Sequence, residues 1–529
     1  MKNKITKRII VLALAFIMVF ALSACGGGSS SSAPANDELR IGLSGALSSL
    51  DNGQEAGILN YYVTAITQDG LVGLSNDGKV VPTLAESWED EDAKVWTFKI
   101  REGVKFYDGR ELVADDIVYS IERSMDENVS PGSVMYFPKD NVKSVEAPDD
   151  YTVVITLNEP QAGFIQAVSN SGGLFVVNKD FIDSVTTNGS PKDLITGTGP
   201  YKPVEFTESY LVLEANENYW GEQPEIKKIR IDFIEDDNTR LLAFKDGSID
   251  FTDKVPVDSS EQWTAIDGAS VEGYPNREYN GLTIDPTVAP FDDINVRKAV
   301  AYAVDKQSIV DGVLKGHGEV ATAIPAPQQF AAVLDTEAAT AKLAEVFNYE
   351  FSIEKAKEAL AASGSADGFD TTLTYPNSYA SIGKASLAIA ETLKEIGINV
   401  EVKEIPLEQW LNEVGNGEQG IGWMIYGATT SEPAEITTWL LDTSAVGANP
   451  ANWVNEEVAA LEQSALKATD YTEQIEFVVE GDSIAQENAI YQPVYWGEAA
   501  VGFNKGVSGT DFNSYTLFTN WPSQFKIER

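Results

Sequence analysis

One cysteine in 529 residues sets the first limit on what this chain can fold into. Cys25 has no partner, so no disulfide can form within the chain, and the folded state must be held by burial of apolar surface. Cys25 also closes an unusual N-terminal stretch. Lys2, Lys4, Lys7 and Arg8 are basic, Ile9 to Leu22 is a continuous apolar run of 14 residues, and Leu22-Ser23-Ala24-Cys25 leads into a Gly/Ser stretch ending at Ser32. A basic head, a short apolar core and small residues before a cleavage point mark a secretory segment. The run falls short of the roughly 20 residues that a membrane-spanning helix needs.

The small residues directly before Cys25 resemble the lipobox of bacterial lipoproteins. The resemblance implies cleavage between Ala24 and Cys25, diacylation of the Cys25 thiol, and a folded body tethered by residues 25–37 at the extracytoplasmic face of the cell membrane. Removing residues 1–24 takes away four cations and no acid, so the formal charge goes from −43 to −47. A body this acidic is repelled by phosphate backbones and anionic lipid, which excludes nucleic acid as a partner; the simplest role of the charge is a well-solvated surface. Apolar content of 43% and aromatic content of 10% are globular values. A mature chain of about 500 residues implies two or three domains. Past the signal no apolar run is long enough to span a bilayer, which argues against a channel or transporter.

Trp96-Thr97-Phe98-Lys99-Ile100 alternates as a half-buried strand, and Asp108-Gly109 marks a tight turn. Ala114 to Arg123 reads as a helix with Asp115 and Asp116 in its first turn and Ile117 and Ile121 facing inward. Strands are expected at 38–43, 151–157, 226–233, 369–375, 399–405 and 492–496. Helices are expected at 238–244, 293–306, 352–363, 381–396, 454–469 and 472–487. Strands and helices are interspersed throughout, the pattern of an α/β protein.

A catalytic centre is hard to assemble from these residues. His317, in a glycine-flanked loop, is the only histidine, so a His/Cys metal site lacks ligands and a Ser-His-acid triad lacks its Gly-x-Ser-x-Gly elbow. The turn Thr196-Gly197-Thr198-Gly199-Pro200 is not followed by the Gly-Lys-Ser/Thr of a phosphate loop. No cofactor motif is present. A pair of carboxylates acting as a hydrolase stays open, because 81 acidic residues always offer pairs.

Ser87-Trp88, Val95 through Gly109 and Ala114-Asp115-Asp116-Ile117-Val118-Tyr119-Ser120 together resemble the signature of ABC-importer solute-binding proteins, family 5, which bind oligopeptides, dipeptides, nickel and some sugars. Gly197 to Tyr201, Asn218-Tyr219-Trp220, Pro290 to Asp293, Val296 to Ala299, Val304-Asp305-Lys306 and Ile490 to Tyr495 follow in family order. Val113 departs from the pattern, where the family often has a Thr cap. The resemblance implies a bilobal periplasmic-binding-protein-like fold, type II, cluster C, with an extra inserted domain. Lobe I would be 38–72, 174–276 and 494–529, the inserted domain 73–173 and lobe II 277–493, with hinge strands near 274–280 and 492–496.

Within the family the chain is most similar to the oligopeptide binders. Glu408-Gln409-Trp410, Gly422-Trp423 and Ser431-Glu432-Pro433 resemble the pocket-lining stretch of that subgroup, which implies that Trp410 and Trp423 face the cleft. Tyr426 stands where that subgroup has an aspartate for the peptide ammonium, and Gly420 where it has an arginine; Glu432 is the nearest acid. Tyr279, Asn280, Asn377 and Tyr379 complete the expected ligand-binding set. The implied protein is a monomeric, lipid-anchored receptor, not an enzyme, that captures an oligopeptide and hands it to the membrane permease of an ABC importer. An oligosaccharide stacked on these aromatics, or a carboxylate hydrolase, are the alternatives.

Overall fold

The computed structural model describes residues 38–528, apart from 56, 135, 138, 139, 417–419, 444–448 and 510. The expected signal segment, Cys25 and the tether of residues 25–37 lie outside the described residues. The chain starts with strand β1 (Glu38–Leu43) and helix α1 (Ile58–Thr67).

It then builds a separate layer from β2 (Ala85–Glu91), β3 (Val95–Ile100), α2 (Ala114–Ser124), β4 (Val142–Asp149) and β5 (Thr152–Leu157). The four strands form an antiparallel sheet in the order β2-β3-β5-β4. Trp96, Phe98 and Ile100 point into its core while Thr97 and Lys99 stay exposed. Ile117 and Ile121 of α2 close that core from above. Val113 gives α2 no side-chain cap, but Asp116 accepts a hydrogen bond from the Val113 N–H at 3.1 Å and is itself gripped by Arg110.

The chain returns to the first lobe with β6 (Tyr201–Phe206), β7 (Tyr210–Ala215), β8 (Lys228–Phe233), β9 (Phe251–Thr252) and β10 (Ser270–Pro275). It crosses to the second lobe at β11 (Glu278–Ile284). There it forms α3 (Ile294–Ala303), α4 (Lys306–Gly312), β12 (Gly318–Val320), α5 (Ile353–Ala361), β13 (Phe369–Pro376), α6 (Ala380–Lys394), β14 (Ile398–Ile405), α7 (Leu407–Asn416), β15 (Ile421–Gly427), α8 (Glu435–Leu441), α9 (Glu456–Leu466) and α10 (Tyr471–Glu487), and ends on β16 (Tyr491–Phe503).

A ten-stranded sheet runs β15-β11-β16-β9-β1-β8-β7-β6, with β10 and β12 also on β16. β16 joins the lobes. Its first half pairs with β11 and β12, and its second half with β9 and β10. The first lobe's core gathers around Ile41, Ile229, Phe251 and Phe503, and the second lobe's around Leu282, Val296, Ile389 and Trp423.

The glycine-rich turn and its companion motifs make a structural joint. Thr198 Oγ1 and Trp220 Nε1 donate to Asp69 Oδ2 at 2.7 and 3.1 Å. The Tyr107 hydroxyl donates to the carbonyls of Thr67 and Tyr201. Gly197 and Gly199 lie so close to the end of α1 that a Cβ would fall 2.2 Å from the Thr67 oxygen and 2.6 Å from its carbonyl carbon. His317 Nδ1 lies 2.9 Å from Glu498 Oε2 of β16.

Candidate functional site

The space between the lobes is bounded by residues that reach across it. Tyr136 Oη lies 3.0 Å from Thr429 Oγ1, and Gln166 Nε2 donates to Ser431 Oγ at 2.7 Å. The Ala162 N–H donates to the Ala468 carbonyl at 2.9 Å. On the far side Lys384 pairs with Asp258. These contacts join the inserted layer and, through Asp258, the first lobe to the second lobe.

β11 and β15 reach this space from within the second lobe. Directly opposed residues of antiparallel strands share a face, so Leu282 and Trp423 lie together, as do Glu278 and Gly427, while Tyr279 and Tyr426 share the other face. Trp423 has no exposed surface (0%) and packs in the second-lobe core. A side chain without exposed surface borders no open space, so Trp423 does not face the cleft as the sequence reading expected. Trp410 is also buried, and its indole N–H donates to the Trp423 carbonyl at 3.2 Å. Tyr279 is buried, donates to the Leu282 carbonyl at 3.2 Å and meets Tyr491 edge-on.

Tyr426 keeps part of its surface, as do its neighbours Ile425 and Gly427. It stacks on Trp439 at 4.7 Å between centroids. Burial pushes its hydroxyl well above the ordinary tyrosine range, reinforced by the charge of Glu435 and by Tyr61 of the first lobe. Glu435 accepts from the Thr429 and Thr430 N–H groups at 2.8 and 2.9 Å and from both hydroxyls, which fixes the loop after β15.

On the Glu278 face the structure gathers a second group. Asn280 donates from Nδ2 to Glu278 Oε1 at 3.0 Å. The half-buried Tyr379 ring carries Lys254 Nζ of the first lobe 5.0 Å from its centroid. The Glu278 charge is the largest influence raising the Tyr379 hydroxyl. Asn377 is exposed just past β13, its N–H bonded to the Ile405 carbonyl, and does not join this group. Glu432 turns toward the inserted layer. It accepts from Gln474 Nε2 at 3.1 Å, and its Oε1 would lie 1.9 Å from a Cβ on Gly163. Burial pushes its carboxyl up to about 7.

Tyr61 reads from the sequence as an aromatic able to stack on a sugar ring, whereas Tyr136, Trp439, Glu278 and Lys254 were not anticipated. No local motif marks them, because they converge from three regions of the chain; the one available signal was an acid beside Tyr279 at the start of a hinge strand. Among the described residues, no group of three or more His, Cys, Asp or Glu side chains could hold a metal ion.

Residues 79–448 match the family model described as Bacterial extracellular solute-binding proteins, family 5 Middle. That is more than half of the chain, and the chain belongs to this family. The probable D,D-dipeptide-binding periplasmic protein DdpA of Escherichia coli (strain K12) is 26% identical over 527 residues, which covers 97% of each chain. Heme-binding protein A of Haemophilus influenzae is 29% identical over 448 residues, 78% of each. Among solved structures, the ABC transporter-associated periplasmic binding protein DppA from Helicobacter pylori in complex with peptide STSA superimposes with a TM-score of 0.78. It is 24% identical and the match covers 93% of this chain and 98% of that one, a likeness of bilobal α/β fold. The molecule is therefore a bacterial extracellular solute-binding protein, of a family of binding proteins and not of enzymes.

Proposed function

We propose that the ligand is an oligopeptide, captured by closure of the two lobes and handed intact to the permease of an ABC importer. The observation that carries this reading is the edge of β15. Among the described residues its ladder partner is β11 alone, and Ile425 to Gly427 are half-buried to exposed beside Tyr426 and Tyr61. An edge strand offers backbone donors and acceptors to an added strand whatever its side chains. The relatives named for a dipeptide or holding a peptide lend support. Tyr426, Asn280, Tyr379 and the Trp439 ring are the side chains assigned to the ligand. Trp410 and Tyr279 support them from behind, and Glu432 belongs to the closing contact.

Residues 73–173 act as an inserted accessory domain, in the manner of a type II, cluster C binding protein. Cys25, cleaved and diacylated, holds a monomer at the extracytoplasmic face of the membrane. The Tyr426–Trp439 stack favours one second reading, a sugar ring against that platform.

Native mass spectrometry of the protein purified from its own cells tests both readings. Co-purified peptides, released unchanged on denaturation, are the expected result; glycans would select the second reading. Cys25→Ala is expected to move the protein from the membrane fraction to the medium, and unchanged membrane association would remove the anchor.

A further inference from the structure

We infer, resting on the peptide reading, that Glu278 is the group that anchors the ligand's ammonium, in a box completed by Asn280 and the ring of Tyr379. Glu278 stands where the hinge enters the second lobe, and it keeps part of its surface. Asn280 donates to its Oε1 at 3.0 Å. A carboxylate has room for about four hydrogen bonds. Among the described residues, no lysine, arginine or histidine nitrogen lies within 4.0 Å of it. Its neighbour in sequence, Arg277, is turned away toward the Thr430 and Ser514 carbonyls and the Tyr515 ring.

Burial is the largest influence on the Glu278 carboxyl and pushes it upward, with Asn280 and the Lys254 charge opposing. A carboxylate held at such depth is costly until a cation and further donors complete it.

The chain itself shows what the box accepts. Lys254 places an ammonium over the Tyr379 ring, beside the acid and outside ion-pair distance. An ammonium against an aromatic face next to a carboxylate is a favourable pairing once water is excluded. Lys254 comes from the first lobe and Glu278, Asn280 and Tyr379 from the second, so this arrangement exists only when the lobes are together. A ligand ammonium then couples binding to closure.

Isothermal titration of the mature chain with a library of short free peptides, and with the same library N-acetylated, tests this. The wild type is expected to bind the free library at least tenfold more tightly than the acetylated one. Glu278→Gln is expected to erase that preference, while Glu278→Asp, which keeps the charge, retains it. A Glu278→Gln protein that keeps the wild-type preference overturns the inference and leaves the peptide reading standing. A wild type that binds both libraries equally does the same. A wild type that binds neither library overturns the peptide reading, and the inference falls with it.

Discussion

The second lobe carries carboxylates at a depth where charge is expensive, and single substitutions there have a definite sign. Glu462 is fully buried (0%) beside Thr437 and Thr438, and burial pushes its carboxyl up to about 8. An acid raised in the folded state loses nothing below its ordinary value near 4.5, and weakens the fold as pH rises through about 8. Glu462→Gln is therefore expected to stabilise the protein by about 3 kcal/mol at pH 8 and by almost nothing at pH 4. Urea unfolding at the two pH values measures this. Glu432 obeys the same sign where it meets Gly163 of the inserted layer. Its contribution at that contact is whole below about 4.5 and is lost as pH rises through about 7. Ligand affinity is expected to fall about tenfold between pH 5 and 8, and Glu432→Gln to flatten that profile in titrations. Glu432 was named from the sequence as a ligand acid, but the depth of both carboxylates is set by distant segments that no local pattern reveals: Gly163 and Gln474 for Glu432, Gly481 and Thr437 for Glu462.

Among elements, α2 has an end that one substitution would complete. Asp116 supplies the returning half of a capping pair, and Val113, already extended (φ −129°, ψ 163°), supplies nothing from its side chain. Val113→Thr is expected to add about 1 kcal/mol, read as a higher midpoint in thermal unfolding; no change would mean that Asp116 alone suffices. Caps also explain which elements were legible in the sequence. Helices opened by Ser352 and Asp470 fall close to their expected bounds, because those side chains accept the N–H groups that start them. The expected helix at 293–306 is instead two, α3 and α4, because Asp305 caps a new helix by accepting from the Ser308 N–H at 3.1 Å. α8 went unread because it begins after Ala434 without a side-chain cap. The strand expected at 492–496 runs on to Phe503, past Gly497 and Glu498, because two different lobes supply its partners in turn.

Across the whole molecule, the α/β character and the ordered motifs were legible, because local periodicity and turn chemistry carry them. The cleft was legible only in part. Tyr379 and Tyr426 keep part of their surface, whereas Trp423 is drawn into the core by Leu282 and Tyr495. Closure depends on close approach at Gly163, whose helical backbone accepts a side chain but whose contact with Glu432 leaves no room for one. Gly163→Leu is expected to weaken ligand binding at least tenfold without lowering the unfolding midpoint, and unchanged affinity would show that this contact plays no part in closure. The most direct measurement is small-angle scattering of the mature protein, first stripped of ligand by unfolding and refolding, then given back the molecule that co-purified with it. The radius of gyration is expected to shrink on addition, and the ligand to be recovered with its mass unchanged. A radius that stays the same at saturation, or a ligand recovered chemically altered, would contradict the account.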